Sequence, residues 1–226
     1  MSDRQALLLR AAECYLGAGL RDDACRCLEQ AGDFAAAARH YEALGRPDQA
    51  AVAYQFGRLW RDAARCFLAC GRPLDAAQAL ENGGEPLAAA WVLAEDAQRY
   101  DHARALAQSV TPETAPRTLE RQLVLARCEA GNGSRARGAD LLAGQVRGLA
   151  DLGPEADPER LLDWALAVAG HLDRADLACA LFAVARRSGG FRDLERRWEA
   201  WSMDRLGMAA GVPEAPAAAA PAEELA

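Results

Sequence analysis

Small and large apolar residues recur every 13 positions through the first hundred residues of this chain. An alanine holds one column of this period without a gap: Ala11, Ala24, Ala37, Ala50, Ala63, Ala76 and Ala89. The position after it is always small, and the position four places after it is always large and apolar: Tyr15, Leu28, Tyr41, Tyr54, Phe67, Leu80 and Leu93. Residues with this spacing lie on one face of an α-helix. The pattern therefore predicts a row of short amphipathic helices, one in each period.

Glycine and proline mark the turns between these helices. Glycine stands eight places after the alanine in most periods: Gly19, Gly32, Gly45, Gly71 and Gly84. Arg58 interrupts that column, with Gly57 beside it. Two places after the glycine, Pro47, Pro73 and Pro86 fit the first position of a helix, and glycine fits the position just past a helix end. Because turns of about three residues make successive helices antiparallel, two periods predict a 26-residue hairpin, and stacked hairpins form a solenoid.

The pattern changes after a break that contains Pro112 and Pro116. Longer helices are predicted at about 117–130, 135–150, 158–170, 174–188 and 191–206, and Asp157 is placed to cap the third of them. The chain is therefore predicted to be all-α. An α-solenoid of short antiparallel helical hairpins spans 1–107, and a linker spans 108–118. Longer hairpins that continue or cap the superhelix span 119–206, and a disordered Ala/Pro tail spans 207–226.

The string AECYLGAGLRDDACRCLEQAGDFAAAARHYEALG resembles tetratricopeptide repeats and the related repeats of soluble NSF attachment proteins. The shared features are small residues at helix crossings, an aromatic residue, a glycine and a later alanine. The resemblance covers about residues 6–107 clearly and 117–206 weakly. The period of tetratricopeptide repeats is longer than 26 residues, and their proline ends a helix, whereas proline opens helices in this chain. The resemblance implies a scaffold that binds proteins or peptides, and it brings no catalytic residues with it.

Composition narrows the classes of partner. The 226 residues carry a net charge of -7, and all 26 basic residues are arginine, which is typical of GC-rich coding. The acidic balance argues against a nucleic-acid partner, which a basic stripe would indicate. No segment approaches the ~20 apolar residues of a membrane span. An odd number of cysteines without a compact disulfide framework suits a reducing compartment, so we expect a cytoplasmic protein.

Two cysteine pairs have spacings that could supply part of a zinc site: Cys25 with Cys27, and Cys66 with Cys70. One column of the period, however, holds Cys14, Cys27, His40 and Cys66. This column lies beside the large apolar column and is predicted to face inward, where cysteine behaves as a small hydrophobe. Members of one column on successive helices are about 8–10 Å apart, too far to share a metal ion. We therefore expect no metal and no cofactor. The histidines are isolated and no serine lies in a nucleophile elbow, so we expect no enzymatic activity.

The expected function is a non-enzymatic scaffold or adaptor that binds a protein or peptide on the helical-repeat surface. An alternative is a regulatory or sensory helical segment of an ATPase or signalling complex. The candidate partner-binding residues are Trp60, Trp91, Arg39, Arg65, Trp198 and Trp201. The first two tryptophans are either exposed contact anchors or pack against their own chain. Trp198 and Trp201 either pack on the preceding hairpin or form a binding face. Arg39 and Arg65 stand two places after the alanine of their periods, in a column whose residue type varies.

Overall fold

A computed structural model describes residues 3–150, 152–153, 156–209 and 211–214. In this part of the chain the protein is all-α, with thirteen α-helices, one short 3-10 helix and no strand. The chain divides into two compact units, Met1–Ala107 and Gln108–Ala226. Of the tail predicted over 207–226, residues 210 and 215–226 lie outside the described residues.

The first unit is built from short helices that follow one another along the stack. Their bounds are α1 Asp3–Gly17, α2 Arg21–Ala31, α3 Phe34–Ala43, α4 Pro47–Phe56, α5 Trp60–Ala69, α6 Pro73–Asn82, α7 Pro86–Glu95 and α8 Tyr100–Ser109, whose last residues belong to the second unit. From α2 to α7 each helix begins 13 residues after the previous one. Each helix from α1 to α6 packs against the next. The predicted repeat of short helices is confirmed, and this unit is an α-solenoid of antiparallel hairpins.

Alanine forms the centre of this unit. The seven-membered alanine column is fully buried from Ala24 onward. Large residues such as Tyr54 and Phe67 are buried beside it. Because alanine has the smallest side chain that still favours a helix, the backbones approach closely and the larger residues fill the gaps between turns. A helix of about ten residues is marginal alone in water, so this packing stabilises each one.

The turns follow the predicted chemistry. The prolines that open α4, α6 and α7 occupy the first turn of those helices. The five turn glycines adopt positive φ angles, which a residue without a Cβ reaches at no steric cost. In α3 the side chain of Asp33 adds a cap by accepting a hydrogen bond from the Ala36 amide at 3.0 Å.

The second unit has longer helices. Their bounds are α9 Ala115–Gly131, α10 Arg135–Gln145, α11 Pro158–Leu172, α12 Ala175–Ser188 and α13 Leu194–Leu206, and the 3-10 helix Val146–Leu149 follows α10. Helix α9 begins inside the segment predicted as a linker, because Thr114 accepts a hydrogen bond from the Arg117 amide and caps it. Asp157 caps α11 in the predicted way. Helix α9 packs on α10 and α11, and α12 packs on α11 and α13.

Candidate protein-binding surface

Arginine lines the exposed side of α3 and α5. Arg39 and Arg65 hold the same place of the period, two helices apart, and both are exposed. Arg61 lies one turn before Arg65 and its side chain is 76% exposed. Helices α3 and α5 run in the same direction because each intervening turn reverses the chain. We call the surface formed by Arg39, Arg61 and Arg65 the arginine face.

A single carboxylate, that of Glu42, lies beneath the arginine face and joins three helices. It accepts hydrogen bonds from the Tyr54 hydroxyl of α4 at 2.7 Å, from Arg65 Nη1 of α5 at 2.6 Å and from the Cys66 thiol at 3.5 Å. The bond from Arg65, supported by the other two donors, lowers the pKa of Glu42 below its usual value although partial burial opposes this. Arg65 also pairs with Asp62 at 3.6 Å. The Arg65 guanidinium is therefore held in place by two carboxylates.

Two buried tyrosines contribute hydroxyl groups to the same layer. Burial, together with the hydrogen bond to Glu42, raises the pKa of Tyr54 to about 12. Burial and the adjacent carboxylate of Glu29, which accepts a hydrogen bond from its hydroxyl, raise the pKa of Tyr41 to about 12. Both phenols therefore remain protonated at neutral pH and act as hydrogen-bond donors between successive helices. The two hydroxyl groups therefore link neighbouring helices by hydrogen bonds, and they do not exchange protons near neutral pH because their pKa values are about 12.

An exposed apolar ridge lies at the end of the hairpins where α3 and α5 begin. Phe34, the first residue of α3, stacks on Phe56, the last residue of α4, with ring centroids 5.6 Å apart and planes inclined by 27°. Phe56 is 68% exposed. Leu59 is exposed in the next turn and Trp60, which opens α5, is half-buried. Phe34 is half-buried as well. We call these four residues the aromatic edge.

Two glycines make room for the aromatic residues at the helix starts. A Cβ on Gly57 would lie 3.2 Å from the Cβ of Phe34, and one on Gly83 would lie 2.8 Å from the Cβ of Trp60. Gly57 itself has an ordinary φ of -76°, so it does not serve the turn. Arg58 instead adopts the left-handed turn conformation, with a φ of 57°. Packing against Phe34 therefore accounts for the glycine at position 57, while Arg58 holds the left-handed position of the turn.

The other predicted contact residues are placed differently. Trp91 is 8% exposed, so its ring lies in the interior, which is the second of the two alternatives for this residue. Trp198 is 2% exposed and stacks on Trp201 at 5.3 Å between ring centroids. Both rings also contact Phe182 of the preceding helix, at 5.0 and 6.1 Å. In this structure these tryptophans contribute to packing, and a partner-binding role for them stays a prediction.

The cysteines are free thiols throughout the described residues. Burial raises the pKa of Cys66 to about 11, which keeps its thiol protonated and able to donate to Glu42. Cys25 is buried too, with its sulfur 3.9 Å from the Ala37 carbonyl oxygen. Cys14 lies in the column that was predicted to face inward, yet it is exposed because α1 is the first helix described in the stack. Within the described ranges, no group of three or more His, Cys, Asp or Glu side chains could hold a metal ion.

Several residues of this surface were missed by sequence reasoning. Phe34 and Phe56 were not singled out. Two signals were visible in the sequence: Phe34 holds the same place in the period as Pro47, and Gly57 lies just before the turn. Glu42 and Arg61 carry no such signal. Glu42 belongs to the surface because the fold brings residues 12 and 23 positions away against its carboxylate. Arg61 belongs to it because it lies exposed one turn before Arg65.

Comparisons with known proteins give no identity: no protein-family model, curated protein or solved structure matches the chain. Among the described helices, none combines the length and the apolar character needed to cross a membrane. The geometry of the chain alone thus supports its description as an all-α protein with a helical-repeat solenoid.

Proposed function

We propose that this chain is a non-enzymatic scaffold of the tetratricopeptide-like type, which binds a partner protein or peptide at the arginine face and the aromatic edge. The observation that carries this proposal is the exposed Phe56, stacked on Phe34 at the end of the two helices that present Arg39 and Arg65. An apolar anchor beside a row of guanidinium groups suits an acidic segment that contains a large apolar side chain.

The arginine face supports an acidic partner. Among the described residues Arg39 forms no ion pair, so its guanidinium is available to a carboxylate. Arg65 is already fixed by Glu42, which reduces the side-chain entropy that a new contact would cost. Exposed ion pairs contribute only about 0–1 kcal/mol each, so this face supplies orientation and selectivity more than affinity.

The aromatic edge supplies the apolar part of the binding energy. Burying a whole phenylalanine side chain contributes about 1.5–3 kcal/mol, and Phe56 is 68% exposed. Covering the exposed part therefore contributes roughly 1–2 kcal/mol, which corresponds to about a tenfold change in affinity. Phe56→Ala is the sharpest substitution because it removes an exposed ring without opening a cavity in the alanine core.

The experiment is to select short random peptides displayed on phage against the immobilised chain, and then to measure the affinity of a selected peptide by fluorescence anisotropy. We expect the selected peptides to share acidic residues and a large apolar residue. Phe56→Ala and Arg39→Glu should each weaken binding about tenfold. Leu74→Ala, a change of an exposed leucine on α6, is the matched control and should leave binding unchanged. Raising the salt concentration should also weaken binding.

Two outcomes would count against the proposal. One is a selection that enriches no common sequence. The other is a peptide whose affinity is unchanged by Phe56→Ala and Arg39→Glu but falls with substitutions elsewhere. The alternative function, a regulatory segment of an ATPase or signalling complex, also requires a protein partner. It stays a prediction, since none of the contacts described above favours it specifically.

A further inference from the structure

A short segment after the last helix folds back onto the second unit. Gly207, just past α13, adopts a positive φ of 70° and turns the chain. Further on, Arg186 near the end of α12 donates a hydrogen bond from Nη1 to the Val212 carbonyl oxygen at 2.8 Å. Val212 and Pro213 are half-buried, whereas the residues on either side of them are exposed. We call residues 211–214 the strap.

The strap lies at a groove in the corner between α12 and α13. Val212 borders a cavity of about 350 Å³ in this corner. Its other walls include Phe191 of the turn, Leu194 at the start of α13, and the charged residues Arg186, Asp193 and Glu195. Because this volume is the space that remains beside Val212, the strap does not fill the groove. A larger apolar side chain at the same place would make more contacts with its walls.

These contacts define the class of ligand that suits the groove. Arg186 binds a main-chain carbonyl group, which every residue carries, so this contact requires a segment outside a helix but no particular side chain. The apolar walls select the side chain. Val212 is the only branched or aromatic apolar residue from Ala209 to Glu224, so it is the residue of the tail that fits an apolar wall best. The matching ligand is a non-helical peptide segment with one large apolar side chain.

We propose that this groove is a second peptide-binding site, which the chain's own strap occupies and which a partner segment of the same chemistry enters by displacing the strap. The site lies wholly on the second unit, so this inference is independent of the arginine face and the aromatic edge. A tethered segment competes with any outside peptide at an effective concentration set by its linker. The strap therefore acts as an internal competitor, and its underfilled groove favours a partner with a larger apolar residue.

The length of the linker decides whether the strap reaches the groove. Helix α13 has 13 residues and is therefore about 20 Å long, and the groove lies at its first turn. The chain from Gly207 to Val212 spans at most about 17–18 Å when fully extended. The connection thus has little length to spare. Removing two residues from it shortens this reach by about 7 Å.

The experiment uses the full chain and a trifluoroacetyl-labelled peptide with the sequence of residues 209–216, whose binding is followed by fluorine NMR. Deletion of Met208 and Ala209 should open the groove, because a linker that cannot span the distance lowers the effective concentration of the strap to near zero. The peptide should then bind about tenfold more tightly than to the wild type, given the millimolar effective concentration of a short tether. Insertion of two glycines after Gly207 is the matched control and should behave like the wild type. Val212→Asp in the full chain should open the groove as the deletion does.

Substitutions in the groove and in the peptide identify the contacts. In the shortened chain, Arg186→Ala should weaken peptide binding about tenfold, since it removes a charged hydrogen-bond donor. Arg196→Ala, a change of an exposed arginine of α13 that does not line this groove, is the control and should have no effect. Val212→Leu in the peptide should strengthen binding about fourfold through one more buried CH₂ group. Phe56→Ala should leave this binding unchanged, which separates the strap site from the function proposed above.

Three results would overturn the inference. The first is equal affinity of the peptide for the wild type and for both opened variants, whether it binds or not, since the strap would then cover no peptide site. The second is binding that Arg186→Ala leaves unchanged. The third is a wild-type chain that sediments above 24.1 kDa and is dissociated by the peptide, since the strap of one copy would then occupy the groove of another. Far-UV circular dichroism of every variant checks that the fold is retained.

Discussion

A methyl group added at Gly83 tests how closely the aromatic residue that opens α5 packs against the turn after α6. The added Cβ of Gly83→Ala would lie 2.8 Å from the Cβ of Trp60 and 3.2 Å from two atoms of its ring. Because the nearest of these atoms is next to the backbone, Trp60 cannot relieve the contact by rotating its ring. The helix start or the turn must shift instead.

The size of the effect follows from two opposing contributions. Overpacking of this kind costs typically about 1–3 kcal/mol. Replacing glycine by alanine at a compatible position stabilises by about 0.4–1 kcal/mol, since it restricts the unfolded chain. The net change for Gly83→Ala is therefore a loss of roughly 1–2 kcal/mol in the free energy of unfolding. Gly57→Ala, with one contact of 3.2 Å to Phe34, should fall between this variant and the wild type.

The matched control is Gly17→Ala, at the last residue of α1, where an added Cβ meets nothing within 4 Å. This variant should gain about 0.4–1 kcal/mol. Urea denaturation followed by far-UV circular dichroism gives the order of midpoints, which should fall from Gly17→Ala through the wild type and Gly57→Ala to Gly83→Ala. If Gly83→Ala proves as stable as Gly17→Ala, the close contact with Trp60 does not exist. The explanation for glycine at positions 57 and 83 then fails.

Three further predictions concern single side chains of the first unit. Arg58→Gly should raise the free energy of unfolding by up to about 1 kcal/mol because it relieves a left-handed residue, whereas Arg58→Ala should give no gain in the same urea titration. With a maleimide reagent and mass spectrometry, Cys14 should be labelled well before Cys66, since Cys14 is exposed, whereas Cys66 is 1% exposed and its pKa is about 11; equal rates would contradict this. Because the pKa values of Tyr41 and Tyr54 are raised to about 12, folding favours the neutral phenols. The stability they contribute should be complete below about pH 10 and lost as the pH rises through about 12. An ultraviolet titration of phenolate should show these late steps, and Tyr54→Phe should remove one of them.

The sequence by itself determined the local structure of the first unit. The period of 13 predicted where each helix from α2 to α7 lies, because helix starts and stops depend on short-range chemistry: proline at the first turn, glycine past the end, and apolar residues on one face. Even the exception was visible, since Arg58 was the position at which the glycine column failed. The role of Gly57 beside it was not visible, because Phe34 lies 23 residues before Gly57 and only the fold brings the two together.

The tertiary structure alone decided which residues of a column reach solvent. Arg39 and Trp91 occupy the same place in the period, yet the first is exposed and the second buried. Tyr15 and Tyr54 also share a column, and one meets solvent while the other is buried beside Glu42. The physical reason is that a repeat fixes the direction in which a side chain points from its own helix. Whether a neighbouring helix covers that direction depends on the position of the helix in the stack.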